Sequence, residues 1–152
     1  MSDHFIVLVP EDPHFIPSAK LQKAARKRLA EMAPDADQVE VVVSETIQFF
    51  DCGANFEKVL CPSCGQELSA DWWAERMGED EDEENGFKLD RYQTPCCNAT
   101  STLRELVYDW PQTFGRLALE AMNANIATLT DKQRRELERI LGTKLVVIYQ
   151  HI

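Results

Sequence analysis

Cys61-Pro62-Ser63-Cys64-Gly65 is the segment that most restricts how this chain folds. Its two cysteines stand three positions apart, with a proline between them and a glycine after, which favours a tight turn whose backbone N–H groups point at the sulfurs. Two thiolates held in this way occupy two positions of a tetrahedral Zn²⁺. Cys96 and Cys97 supply a second pair, so the four cysteines predict a structural zinc site. Since adjacent cysteines reach one metal only through a strained backbone, Cys52 stays open as the alternative to Cys97.

The size and composition of the chain indicate one soluble domain, or one domain with a small insertion. The 152 residues are 44% hydrophobic and 28% charged, which is enough for an apolar core and ordinary for a solvated surface. We find no apolar run near the roughly eighteen residues of a membrane helix, and the first residues lack the features of a signal peptide. We therefore expect a cytoplasmic protein, in which five cysteines, an odd number, favour metal binding over disulfides.

Apolar runs and periodic stripes predict the regular elements. Strands are expected at residues 5–9, 39–43 with a continuation at 46–50, 87–92, 102–110 and 145–149. Two helices are expected from capped stripes, one beginning at Ser18 and one from the Thr130 to Gln133 capping box to Gly142. A short helix is expected over residues 69–77, with Ser69 as its cap and Gly78 as its end. A further helix is predicted from apolar residues at three- and four-residue steps: Phe114, Leu117, Ala118, Ala121 and Met122.

Without residues 51–98, this order is strand, helix, strand, strand, helix pair, strand. It predicts an α+β fold of the ferredoxin-like kind, an antiparallel sheet with helices on one face. The core domain would comprise residues 1–50 and 99–152, and residues 51–98 would form a zinc-binding insertion with an acidic loop. Ordering each residue costs about 1–2 kcal/mol. Because this insertion is charged and poor in aliphatic residues, we expect a zinc ion, contributing on the order of 10 kcal/mol, to stand in for an apolar interior.

The Cys61 to Gly65 segment resembles the first knuckle, or C-x2-C turn, of zinc-ribbon proteins. The resemblance covers only the insertion, and the second pair departs from the family pattern because its cysteines are adjacent. As a whole, the chain looks like small bacterial proteins in which a zinc knuckle interrupts an α+β domain. Some proteins of that kind are immunity proteins against secreted toxins, so the resemblance implies a role as an inhibitor.

Acidic residues are concentrated near the middle of the chain and predict a basic protein partner. Residues 71–90 contain nine acidic and two basic side chains, a field that speeds encounter with a positive target. Trp72 and Trp73 point about 100° apart on a helix, so we expect one to pack inside and one to be an exposed anchor. The carboxylates of the predicted face are Asp71, Glu79, Asp80, Glu81, Asp82, Glu83 and Glu84. We expect the run 79–84 to be the least ordered segment, because like charges repel.

Three other functions fit the sequence less well. Catalytic zinc needs an open position for water, which four thiolates do not leave. A redox role for the C-x2-C pair is disfavoured because no helical stripe begins after it. A zinc-ribbon nucleic-acid factor is the alternative, through Lys20, Lys23 and Lys27, although the net charge of −10 opposes phosphate binding. The sequence thus predicts a non-enzymatic binding protein and leaves its oligomeric state open.

Overall fold

The computed structural model describes residues 2–152. In chain order the elements are β1 (His4–Pro10), α1 (Ala19–Met32), β2 (Gln38–Phe50), β3 (Lys58–Leu60), α2 (Ala70–Asp80), β4 (Glu81–Asp82), β5 (Gly86–Phe87), β6 (Tyr92–Gln93), β7 (Thr100–Ser101), a 3₁₀ turn (Leu103–Glu105), β8 (Val107–Asp109), β9 (Thr113–Met122), α3 (Asp131–Leu141) and β10 (Leu145–His151).

The main sheet has the strand order β10-β1-β9-β2-β5-β4. Its four long strands, β10, β1, β9 and β2, are antiparallel neighbours. The short β5 joins β2 in parallel through Ile47 and Gly86, which makes the sheet mixed. Two further pairs, β3 with β8 and β6 with β7, lie outside it. The predicted α+β class is confirmed.

Both faces of the central strands are covered. On one face Leu8 and Leu119 pack with Leu29 of α1 and Leu137 of α3, all 0% exposed. The opposite face, which includes Val7 and the neighbouring apolar residues of β9 and β10, is covered by the segment that follows β2. A strand buried on both faces needs apolar side chains at every position, which explains the continuous run that predicted β1.

Residues 113–122 form strand β9, so the helix predicted from Phe114, Leu117, Ala118, Ala121 and Met122 is wrong. Because β9 is central and covered on both faces, nearly all its residues are apolar. Its two charged residues, Arg116 and Glu120, lie four positions apart and so imitate a helical period. At Gly115, a Cβ would lie 2.8 Å from Cγ1 of Val9, so close packing against β1 accounts for the glycine.

The strands predicted at 87–92 and 102–110 are also corrected. The first consists of two separate two-residue strands, β5 and β6. Between them, the backbone N–H groups of Leu89 and Asp90 donate to the carboxylate of Asp80 and therefore cannot join a ladder. The second begins with a 3₁₀ turn capped by Thr102, and only Val107–Asp109 is a strand.

The acidic run is ordered, contrary to expectation. Helix α2 begins after Ser69, whose hydroxyl accepts from the N–H of Trp72 as predicted, but it continues through Gly78 to Asp80. The Asp80 carboxylate is 0% exposed and accepts three hydrogen bonds, from the two N–H groups named above and from the Tyr92 hydroxyl at 2.8 Å. A carboxylate satisfied in this way can be buried, and it ties the end of α2 to the chain that follows β5.

Candidate metal centre

The first cysteine pair lies in a tight turn directly after β3. The N–H of Gly65 donates to the carbonyl of Cys61 at 2.9 Å, and the N–H of Cys61 donates to the carbonyl of Gln66 at 2.8 Å. Gly65 has a φ of +78°, a left-handed conformation that glycine adopts without steric cost. Hydrogen bonds from the N–H groups of Cys64 and Ser63 lower the pKa of the Cys61 thiol to about 6. The turn therefore favours a thiolate at this position.

The second pair lies in the turn between β6 and β7 and meets the first. The Sγ atoms of Cys64 and Cys96 are 3.3 Å apart, those of Cys61 and Cys97 are 3.8 Å apart, and those of Cys96 and Cys97 are 4.0 Å apart. All four lie within 4.8 Å of one another. Asn98 follows with a φ of +61°, a conformation that asparagine tolerates. Adjacent cysteines can therefore face one centre.

The spacing of the four sulfurs fits a tetrahedral metal ion. Zinc–thiolate bonds of about 2.3 Å in tetrahedral geometry place the sulfurs roughly 3.8 Å apart, and the separations here lie on both sides of that value. Cys61 is buried and Cys96 is half-buried, while Cys64 and Cys97 are exposed. A metal ion can therefore reach the site from solvent, and the four cysteines could hold it with no position left for water.

A bound cation would change the ionisation of these thiols. Burial, followed by the neighbouring Cys64 thiol, raises the pKa of Cys96 to about 12. The Thr94 hydroxyl and the N–H of Ala99 lower the pKa of Cys97. Two thiolates about 3.8 Å apart repel by about 4 kcal/mol at an effective dielectric constant of about 20. Four such sulfurs cannot all be ionised unless a positive ion lies among them.

Cys52 does not belong to this group. It is 0% exposed, its N–H donates to Oε1 of Gln112 at 3.0 Å, and its thiol donates to the same oxygen at 3.2 Å. Burial raises the pKa of this thiol. Cys97 rather than Cys52 therefore completes the candidate set.

An aromatic cluster supports the metal centre, so the expectation of a missing apolar interior is wrong. Val59, Leu103 and Tyr108 are buried there beside Cys61, together with Phe114 of the main sheet. The sequence does not predict this apolar interior, because the residues that form it come from both sides of the predicted boundary between residues 98 and 99. A metal ion would supplement this cluster rather than replace it.

The two adjacent tryptophans both pack against this cluster. Trp73 stacks on Phe56 with ring centroids 5.3 Å apart, and its indole N–H donates to the Tyr108 hydroxyl at 3.1 Å. Trp72 is half-buried and lies under the guanidinium of Arg76, 5.9 Å from the ring centroid. Neither is a fully exposed anchor.

The predicted acidic residues mostly lie at the surface. Asp71, Glu79, Glu81, Glu83 and Glu84 are exposed, and Asp82 is half-buried. The carboxylate of Asp82 accepts from the N–H of Glu84, which lowers its pKa. The exception is Asp80, which is buried and cannot contribute to a surface field.

A cleft that the sequence does not predict opens where β1 begins and β10 ends, with a volume of about 1100 Å³. Asp35 and Asp37, His4 and the exposed indole of Trp110 line it. No lysine or arginine is among its described lining residues. These residues come from segments far apart in the chain, which is why the sequence does not predict the cleft. The one local sign of it is the pair of asparagines in one lining loop, Asn123 and Asn125, which both adopt the left-handed conformation.

Within residues 2–152, no helix is long and apolar enough to cross a membrane. Comparison of the chain with protein-family models, with curated proteins and with solved structures found no match.

Proposed function

We propose that this protein is a zinc-stabilised, non-enzymatic binding module that neutralises a basic protein partner, as an immunity protein does with a toxin. The observation that carries the proposal is the closed group of thiols at Cys61, Cys64, Cys96 and Cys97. Four sulfur ligands leave no coordination position for a reacting water, and such a set is typical of structural zinc. In this role the ion cross-links the turn at Cys61 and Cys64 to the turn at Cys96 and Cys97 and fixes the conformation of the surface around them.

The finer features of the fold are part of the same proposal. The antiparallel order β10-β1-β9-β2, with α1 and α3 on one face, supports a ferredoxin-like core. The turn at Cys61 and the facing turn at Cys97 support a zinc-ribbon-like region inserted into it. This arrangement gives a rigid scaffold with no requirement for catalytic groups.

The charge distribution supports a basic partner. The net charge is −10, and exposed carboxylates gather on the segment after α2. The cleft presents Asp35 and Asp37 beside the exposed Trp110. An exposed tryptophan beside acidic side chains suits contact with a positively charged protein, since tryptophan is enriched at interface hot spots.

The zinc part of the proposal is tested by metal content and thiol protection. We expect one tightly bound zinc per chain in freshly purified protein, and four cysteines that react with a thiol reagent only after a chelator is added. Zinc well below one equivalent would contradict the structural site. The Cys52→Ser variant is the matched control, because its thiol lies outside the group and its loss should leave zinc content unchanged.

The partner is tested by affinity capture from the native host, followed by reconstitution with the purified captured protein. Each of two variants removes three exposed carboxylates: E81Q/E83Q/E84Q from the acidic segment and E11Q/E31Q/E45Q from elsewhere. We expect the association rate with the partner to fall by about tenfold or more for the first variant, with loss of its salt dependence, and to change little for the second. Equal effects, or capture of no stoichiometric basic protein, would contradict the proposal. Nucleic-acid binding at low salt would favour the alternative function instead.

A further inference from the structure

The turn that carries Cys97 has the same backbone conformation as the turn that carries Cys64, although the positions of the cysteines in the two segments differ. Aligned by structure, Cys61-Pro62-Ser63-Cys64-Gly65 corresponds to Thr94-Pro95-Cys96-Cys97-Asn98. The proline and the last cysteine occupy the same positions in both segments. The first ligand position holds Thr94 in the second turn, and the additional cysteine stands two residues later, at position 96.

The backbone hydrogen bonds of the two turns agree closely. The N–H of Gly65 donates to the carbonyl of Cys61 at 2.9 Å, and the N–H of Asn98 donates to the carbonyl of Thr94 at 2.9 Å. The N–H of Cys61 and the N–H of Thr94 each donate 2.8 Å to the carbonyl of the residue five positions on. Both turns end in a left-handed residue, at φ +78° for Gly65 and +61° for Asn98.

The side chain of Thr94 lies where a ligand of such a turn would lie. It is 0% exposed, as Cys61 is 1% exposed. Its Oγ1 is 3.7 Å from the Sγ of Cys61 and 3.6 Å from the Sγ of Cys97. These separations match the spacing of roughly 3.8 Å between neighbouring ligands of tetrahedral zinc. Four sulfurs and one hydroxyl oxygen therefore surround the candidate site.

The Thr94 hydroxyl has one proton and three possible acceptors. It lies 3.2 Å from the carbonyl of Ala99 and at the distances given above from two sulfurs. A thiol can donate to the hydroxyl, whereas a metal-bound thiolate can only accept. Binding of a metal ion therefore makes the two sulfurs acceptors for this proton, and a hydrogen bond to a thiolate disperses part of its charge.

We infer that position 94 is the first ligand position of a second knuckle, whose sulfur is supplied from position 96 instead, and that the Thr94 hydroxyl is a positioning group that donates its one proton to a metal-bound sulfur, that of Cys61 or that of Cys97. This inference rests on the proposed zinc site and adds a fifth residue to it. It explains how adjacent cysteines serve one metal, since the turn places residue 97 as a ligand and residue 96 reaches back toward Cys64.

The first experiment transfers the cysteine from position 96 to position 94. Full-length wild type, C96S and T94C/C96S are titrated with cobalt(II), whose thiolate charge-transfer absorption grows with the number of sulfur ligands, and zinc affinity follows from competition. We expect C96S to lose one thiolate ligand. Its zinc affinity should therefore fall by more than the roughly 10- to 100-fold that the loss of a residue outside the ligand set costs. T94C/C96S should regain the four-thiolate spectrum and recover at least tenfold of the affinity. C52S serves as the control that keeps wild-type behaviour.

The second experiment tests the hydroxyl at constant shape. T94V removes the hydrogen bond but fills the same space, and T94S keeps the hydroxyl. We expect T94V to weaken metal binding about tenfold and to shift the cobalt charge-transfer band, while T94S stays close to wild type. A merely structural residue would not produce this difference in the band between T94V and T94S.

The outcomes distinguish failure of the zinc site itself from failure of the role assigned to position 94. A wild-type protein that binds neither zinc nor cobalt would refute the proposed function, and this inference with it. A wild type that binds cobalt through four thiolates, together with a T94C/C96S variant that binds no better than C96S or fails to fold with metal, would overturn the ligand position alone. Equal spectra and affinities for T94V and T94S would overturn the role of the hydroxyl.

Discussion

Replacing Asp80 with alanine tests whether one buried carboxylate holds the acidic segment in place. The carboxylate is 0% exposed and accepts from the N–H of Leu89 at 2.8 Å, the N–H of Asp90 at 2.9 Å and the hydroxyl of Tyr92 at 2.8 Å. A hydrogen bond to a charged group contributes about 1.5–3 kcal/mol. Because these three share one acceptor group and are not additive, we expect Asp80→Ala to lower the free energy of unfolding by about 3–5 kcal/mol.

The assay is urea unfolding at a fixed, saturating zinc concentration, because bound metal adds to apparent stability. With a slope of about 2 kcal/mol per molar urea, the midpoint should fall by about 1.5–2.5 M. The matched control is Glu83→Ala, an exposed neighbour, which should change stability by less than about 0.5 kcal/mol. Tyr92→Phe removes one of these hydrogen bonds and should cost about 1.5–3 kcal/mol in the wild type and almost nothing in the Asp80→Ala background. An Asp80→Ala midpoint equal to that of Glu83→Ala would show that the buried carboxylate does not hold the acidic segment in place.

Three further predictions concern other parts of the chain. Burial raises the pKa of Glu120 above its usual 4.5, so its contribution to stability is complete below pH 4.5 and is lost as the pH rises through the folded-state pKa. Because the group is half-exposed, Glu120→Gln should raise the free energy of unfolding at pH 7 by less than about 1 kcal/mol. A gain in stability that persists below pH 4.5 would contradict this cause. Gly53 has a φ of +62°, and a Cβ there would collide with the carbonyl oxygen of His151, so Gly53→Ala should cost at least about 2 kcal/mol of stability. Gly142 is also left-handed but has open space around it, so Gly142→Ala should cost only about 1 kcal/mol. Equal urea midpoints for the two variants would contradict the collision. Thr130→Ala removes the cap of α3 and should cost about 1 kcal/mol, or about 2–4 °C in the thermal midpoint; an unchanged midpoint would count against the cap.

Features that depend on near neighbours in the chain are predictable without knowledge of the fold. Ser18, Ser69 and Thr130 each cap a helix at the predicted residue, because a cap needs only the N–H groups two or three positions ahead. Gly142 ends α3 in the left-handed conformation, and this cap is also local because the N–H of Gly142 donates to the carbonyl of Glu138 four positions back. The Cys61 turn is likewise local. These rules, together with the apolar runs, were enough for the α+β class.

Features that depend on partners far away in the chain became apparent only in the folded structure. Residues 113–122 became a strand because β1 and β2 lie on either side of it and both its faces are covered, which no periodicity within the segment records. Asp80 became a buried anchor because Leu89, Asp90 and Tyr92 return to it. The physical reason is the same in each case. A side chain's burial and hydrogen bonds are set by the groups that fold around it, and those groups lie far away in the chain.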